Sequence, residues 1–413
     1  MPHSEEVVSY RTLLRLPGAL PTFVASSLGR LSYGTVGLAL LLVVERASGS
    51  FAVAGLASAS YGVGALTAPL KSRWIDRYGQ RRLIALLGTT CSATLFGLAT
   101  LSVSGVNNGA AYAALAGLTG LFAPPLGPAV RAVWATITDG VASRERAYSF
   151  DLGVEDTLFT GGPLLVGGLV LLDGPTLAIV VAAGLMLVGS VSFARSPAVS
   201  AHDGQAPTWE KRPLTGVLRS PGFALLLGVV VSLSTGLGIV DVSVAARAIE
   251  EAAPAAAGYV LAAMALGGII GGQLWGRRTR SGSVLRQLTT FSIVLTVCLA
   301  GAAEASNLAV LAAVLAAFGT SMTPVLVLSY VAAERLGPRA GRTETSAWIN
   351  TAFNAGIAFG SILGGLAIDR SGSTGSFLLG TAISATTVIF MISLGPRLER
   401  SINNSAALSD DNR

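Results

Sequence analysis

The stretch that decides the fold is Ala147–Leu172, AYSFDLGVEDTLFTGGPLLVGGLVLL. It is long and apolar enough to cross a bilayer as a helix, yet Asp151, Glu155 and Asp156 lie in its first half. Carboxylates at that depth are tolerated where they face protein or a watery cavity, and they read as functional residues by default. Gly161, Gly162 and Pro163 follow just past the middle, and Gly167 and Gly168 come one turn later.

The rest of the chain has the same character. Of 413 residues, 52% are hydrophobic and 12% charged, where a soluble domain carries about 25% charged residues. Mean hydropathy is +0.65. Apolar runs long enough to span recur near 20–44, 51–70, 83–103, 109–132, 147–172, 175–194, 222–246, 254–275, 287–303, 307–331, 347–368 and 375–395. The reading is an all-α membrane protein with twelve transmembrane helices; a β-barrel would show short alternating segments instead. Cys91 and Cys298 each sit inside an apolar run, so no disulfide framework is implied. Residues 1–19 show no cleavable apolar signal, and the first long apolar run reads as a spanning helix.

The placement of positive charge fixes the topology. Residues 1–19, the segments around 71–82, 131–146, 195–219, 277–286 and 332–346, and the C-terminal tail hold 24 of the 28 Lys and Arg residues. The opposite side has Arg46, Arg247 and Arg370, and Arg30 lies within a span. That split is the positive-inside pattern for twelve spans with both termini cytoplasmic in a cell membrane. It also turns the net charge of +6 into a topology signal rather than a nucleic-acid one. The Arg, Ala and Gly bias suggests a bacterial source.

The longest polar connection, residues 195–219, divides the chain into an N-terminal bundle (1–194) and a C-terminal bundle (220–413), joined by a cytoplasmic linker. The halves resemble each other. Ser72–Arg77 at the end of the second span corresponds to Gly272–Arg277 at the end of the eighth, and Gly167-Gly168 corresponds to Gly364-Gly365. Internal repetition of this kind marks secondary transporters, whose site lies between the repeats. Stripes of small residues (Ala54/Ser58/Gly62, Gly153/Thr157/Gly161, Ala263/Gly267/Gly271 and Gly356/Gly360/Gly364) permit close helix packing. Their recurrence leads us to expect contact helices between the two halves.

With these residues in view, the sequence resembles the major facilitator superfamily along its whole length. Residues 72–83, SRWIDRYGQRRL, resemble that family's Gly-x-Leu-x-Asp-Arg-x-Gly-Arg-Arg signature, with Asp76, Arg77, Gly79 and Arg81 in register; Ser72 and Trp74 replace the usual Gly and Leu. The resemblance implies two pseudo-symmetric six-helix bundles and a cytoplasmic latch at Asp76, which could accept from the N-terminal end of the eleventh span near Ser346. Gly162-Pro163 followed by Gly167-Gly168 is similar to the drug-exporter antiporter motif, one residue long. The Arg of the drug-exporter fourth span has no counterpart in residues 116–125. Residues 346–358 are similar to the Asn-x-x-x-Asn-x-Gly pattern of sugar- and chloramphenicol-type exporters.

Arg30 and the pair Glu155/Asp156 enter their spans to similar depth, so Arg30 is expected to pair with Glu155 or Asp156. Adjacent residues on a helix point about 100° apart; one acid can neutralise Arg30 while the other carries a proton. Asp151 is expected as a hydrated residue near the interface. Asp241 is a second titratable candidate, with Arg247 as its alternative structural partner. Asn350 and Asn354 either face a polar solute or join two helices. Pro124, Pro125, Pro128 and Pro324 fit broken, cavity-lining helices.

No Walker A sequence, zinc-ligand cluster or Gly-x-Ser-x-Gly elbow occurs, so no enzymatic activity and no cofactor are expected. The expected function is a proton-coupled antiporter exporting a small amphipathic compound, acting as a monomer with protons and lipid as its only other partners. A facilitator or symporter for a nutrient, and a non-transporting sensor, are the alternatives.

Overall fold

The computed structural model describes residues 10–138, 141–202, 221–276, 283–336 and 342–410. Among them every regular element is a helix, and ten helices are long and apolar enough to cross a membrane. Chain contacts divide the molecule into two compact units, Met1–Ala47 with Val63–Trp209, and Ser48–Gly62 with Glu210–Arg413.

The first unit begins with the short α1 (Tyr10–Leu14) and the 30-residue α2 (Ala19–Ser48). The second span does not appear as one rod. It is α3 (Phe51–Ala65) and α4 (Ala68–Tyr78), separated at Leu66-Thr67, where backbone bonds tighten to the i→i+3 pattern and the Thr67 hydroxyl donates to the Gly64 carbonyl at 2.7 Å. Gly79, at φ +94°, turns the chain into α5 (Gln80–Val103), a conformation that favours glycine.

The fourth span is broken as well. Helix α6 (Gly109–Phe122) stops at Ala123-Pro124-Pro125, and α7 (Leu126–Ile137) starts beyond it. Two consecutive prolines supply no N–H, so the last carbonyls of α6 need partners from elsewhere. Three other helices provide them. Buried Lys71 donates to Ala123 O (2.7 Å) and Gly120 O (3.1 Å), Tyr33 donates to Pro124 O, and the Cys91 thiol donates to Thr119 O at 3.5 Å. The unit ends with α8 (Val141–Asp173), α9 (Pro175–Arg195) and α10 (Pro197–His202). Phe23, Trp134, Ile84, Leu126, Val130 and Phe193 centre its core.

The second unit contains Ser48–Gly62, which is most of α3, together with α11 (Pro221–Glu250), α12 (Ala256–Gly276), α13 (Val284–Ala303), α14 (Leu308–Leu336) and α15 (Arg342–Asp410). Helix α15 covers the expected eleventh and twelfth spans and is interrupted at Gly372 (φ +69°). Helix α14 runs unbroken through Pro324, so the expected break in the tenth span is absent. A spanning helix tolerates a proline where neighbouring helices, hydroxyl side chains or local adjustments re-satisfy the freed backbone group.

The stripes of the eighth and eleventh spans pack within their own half, whereas the second-span stripe meets the eleventh span as expected, a Cβ on Gly62 standing 3.6 Å from Ala358. Gly267 and Gly271 of α12 lie against the backbone of Ala316 and Thr320 in α14. Gly356 and Gly360 of α15 lie against Val231, Ser234 and Thr235 of α11, and Gly364 faces Ile239. These contacts join helices of the C-terminal half to one another. A side chain on Gly153 or Gly161 would meet nothing within 4 Å; Gly162, one position on, presses backbone to backbone on Gly34 of α2.

Candidate functional site

Helix α8 brings its acids to α2 and α7. Asp151 and Glu155 are one turn apart and share a face. The Arg30 Nη2 atom donates to Asp151 Oδ1 at 2.8 Å, and Arg30 Nη1 stands 3.6 Å from Glu155 Oε2. Arg131 of α7 completes the cluster: its Nη1 atom donates to Glu155 Oε2 at 3.1 Å and lies 3.6 Å from Asp151 Oδ2. Two guanidinium groups therefore face two carboxylates, and the formal charge of the group is zero.

The members differ in access. The Arg30 and Asp151 side chains are 1% and 0% exposed, whereas Arg131 and Glu155 are 30% and 24% exposed. The first pair is a closed structural bond, in which removing either partner would strand a buried charge. The second is open on one side. The long gaps leave Arg30 Nη1 and Asp151 Oδ2 buried without a hydrogen bond. Phe23 lies under the Arg30 guanidinium at 5.9 Å.

Local structure explains the arrangement. The proline break ends α6 and restarts the span as α7, which carries Arg131 five residues in. Gly127 sits one turn before Arg131, where a Cβ would stand 2.9 Å from Arg131 Nη2 and 3.5 Å from Glu155 Oε1. Glycine at 127 thus leaves room for the guanidinium. The close crossing of Gly34 and Gly162 draws α2 and α8 together beside the charges.

Sequence reasoning placed Arg30 against the right helix and, in part, on the wrong acid. Its hydrogen bond goes to Asp151, expected as a hydrated interface residue and found fully buried. Side chains on a helix lean toward its N-terminus, so the long arginine reaches an acid one turn nearer that end. Asp156 is exposed and forms no ion pair among the described residues. Arg131 was missed because it was counted with the charged segment 131–146. Its flanks, Ala129-Val130 and Ala132-Val133-Trp134, were the available signal.

The remaining candidates lie apart from this cluster. Asp241 is half-buried on α11 and has no polar partner among the described residues. Arg247, its expected structural partner, instead approaches Glu250 (4.0 Å) and donates to Thr374 Oγ1 at 3.0 Å. Asn354 donates to Asn350 O (2.8 Å) and Oδ1 (3.0 Å) within their own helix. Pro163 lies inside α8 with Gly167 and Gly168 beyond it. Arg77 covers the Tyr78 ring at 5.3 Å, and Arg81 is exposed. The side chains of Asp76 and Ser346, the two ends of the expected latch, lie outside the described residues.

Comparison with known proteins supplies the family context. A family model described as Major Facilitator Superfamily matches residues 22–330. Among solved structures, a variant of the nucleoside transporter NupG aligns with TM-score 0.75 at 13% identity, covering 91% of this chain and 99% of its own. A variant of the peptide transporter POT in complex with alafosfalin aligns with TM-score 0.73 at 15% identity, covering 96% and 97%. A structure of proton dependent oligopeptide transporters aligns with TM-score 0.66 at 13% identity, covering 94% and 100%. At these identities the likeness is one of fold. No curated protein matches the sequence.

Proposed function

The chain belongs to the major facilitator superfamily and is a membrane transporter of that type; from that premise we propose that it couples solute movement to protons through the Arg30, Asp151, Arg131 and Glu155 cluster. The observation that carries the reading is the position of Glu155, 3.1 Å from one guanidinium and 3.6 Å from another, on the open side of a buried ion pair. A carboxylate so placed can exchange its proton without disturbing Arg30–Asp151. Protonation leaves two guanidiniums facing one carboxylate, and the freed charge on Arg131 changes how the open side receives a solute. Deprotonation restores the neutral cluster. Transport coupled to this exchange needs no other energy source, and differential interaction of the proton with the two access states suffices to drive it.

Export by antiport is the direction we favour, supported by Gly162-Pro163: Gly162 packs on Gly34 and ties the motif to the helix that carries Arg30. In this reading the spans number twelve, the termini are cytoplasmic, the two six-span halves alternate access, and the solute is a small amphipathic compound. Asp241, without a polar partner among the described residues, is the second carboxylate available to a proton.

The test is proton flux in proteoliposomes under an imposed pH gradient, with a panel of amphipathic compounds, for wild type, Glu155→Gln and Asp156→Asn. Compound-driven proton release in wild type, lost in Glu155→Gln and retained in Asp156→Asn, is the expected result. Flux that ignores both the gradient and Glu155→Gln would overturn proton coupling, and co-directional movement of proton and solute would replace export with uptake.

A further inference from the structure

Three aromatic rings stand in a row in the first unit with a fourth beside them, and the coupling reading leaves them unused. Phe23 of α2 packs on Phe150 of α8 with ring centroids 4.9 Å apart and planes 30° from parallel. Phe150 packs in turn on Tyr10 of α1 at 5.1 Å, and Trp134 of α7 flanks Phe23 at 6.0 Å. A guanidinium closes each end of the row. Arg146 lies 4.9 Å from the Tyr10 centroid, and Arg30 lies 5.9 Å from that of Phe23. An apolar core asks for volume and tolerates exchange of one apolar shape for another. Ring faces with a cation at either end answer to the ring quadrupole instead.

The buried end of the row meets the ion pairs. Arg30 is 1% exposed; its Nη2 atom bonds Asp151, while Nε and Nη1 have no hydrogen bond. Among the described residues, the charged groups facing Glu155 are Arg30 from α2, Arg131 from α7 and Asp151 one turn away on α8, with Asp156 next in the chain. While Glu155 is ionised, two carboxylates balance two guanidiniums. Once it holds a proton, Asp151 alone serves both arginines, and the group carries one excess positive charge. Arg30 is the member that water cannot reach, and a buried charge short of partners is costly. The other group against its guanidinium is the Phe23 ring, and a ring face attracts a cation most strongly where water is excluded.

We propose that Phe23 is a positioning residue of the coupling site, whose ring face holds the Arg30 charge whenever Glu155 carries a proton. The proposal rests on the coupling reading given above. The ring acts on one protonation state more than on the other. With Glu155 ionised, the Arg30 charge is already balanced and the ring adds little. With Glu155 protonated, the ring supplies part of what the carboxylate has withdrawn. Phe23 therefore favours the protonated state, and weakening its face lets Glu155 release its proton more readily. Phe150 and Trp134 fix the plane of the Phe23 ring, and Tyr10, 44% exposed, supports Phe150 from the outer end of the row. Helix α1 thus acts on the same state at one further remove.

The experiment follows protonated carboxyl groups by infrared difference spectroscopy as pH is lowered, in nanodiscs without solute or gradient. The band absent from Glu155→Gln belongs to Glu155. Trifluorophenylalanine in place of Phe23 keeps the shape of the ring and removes the negative charge from its face. It is expected to move the Glu155 midpoint to lower pH by about one unit, a tenfold change within reach of a desolvated cation–π contact. Phe23→Leu should move it the same way and Tyr10→Ala by less, whereas Phe96→Leu, at an exposed ring on α5, should leave it at the parental value. An unchanged midpoint with the fluorinated ring, whatever the melting temperature does, assigns Phe23 to packing alone and overturns the proposal. Fluorination alters volume little, so misfolding of Phe23→Leu does not remove the test. A Glu155 band that titrates but ignores position 23 leaves proton coupling standing, while a missing Glu155 band sinks both readings.

Discussion

At the residue scale the site consists of two ion pairs that do different jobs. Asp151→Asn removes the partner of a guanidinium that is 1% exposed, and breaking a buried pair from one side costs about 3–5 kcal/mol. Its expected outcome is a large fall in thermal stability of the purified protein. Glu155→Gln should leave the melting temperature close to wild type, since Glu155 is one-quarter exposed and exposed pairs contribute little. Equal destabilisation by the two variants, measured in one detergent, would contradict the division into a closed structural pair and an open one. Gly127→Ala tests the fit of Arg131. A methyl 2.9 Å from Nη2 should push the guanidinium off Glu155 and cut pH-driven flux while the protein still folds; unaltered flux would show that the room is not needed.

At the element scale the useful contrasts are between neighbouring positions. Gly162 of α8 touches the Gly34 backbone and Gly161 touches nothing within 4 Å. Gly162→Ala should therefore overpack the α2–α8 crossing, at about 1–3 kcal/mol, whereas Gly161→Ala should be neutral or slightly stabilising, as alanine is in a helix. Thermal unfolding of both variants checks this, and equal effects would mean the crossing is not tight. Lys71 offers a second test. Lys71→Met withdraws the ammonium from Gly120 O and Ala123 O, leaving Gly120 O with only the Ala123 N–H and Ala123 O without its lysine donor, at about 1–3 kcal/mol. If the break in the fourth span presents Arg131, Lys71→Met should also weaken pH-driven flux more than its loss of stability explains.

At the scale of the whole molecule the expected orientation can be checked directly. In a background lacking Cys91 and Cys298, a cysteine at Asn107 should react with a membrane-impermeant maleimide on intact cells, and one at Arg286 only after lysis. The reverse pattern would invert the topology that the distribution of 24 of the 28 basic residues implies. The sequence by itself determined the class of protein, because twenty-residue apolar runs and one-sided positive charge are properties of the chain that no packing can alter. It also marked α8 as the helix carrying the acids, and Arg30 as their partner, since an unpaired charge inside a span is too costly to leave alone. What only the tertiary structure decided were pairings between helices. A stripe of small residues says that something packs closely there without saying what, so the stripe of α12 met α14 and that of α15 met α11. Arg131 came to Glu155 because a double proline restarted its helix, and the Asp369 carboxylate came to accept from the Phe51 N–H because the chain folds back after more than 300 residues. Which helices meet depends on contacts summed over the whole fold, and local sequence carries only one side of each contact.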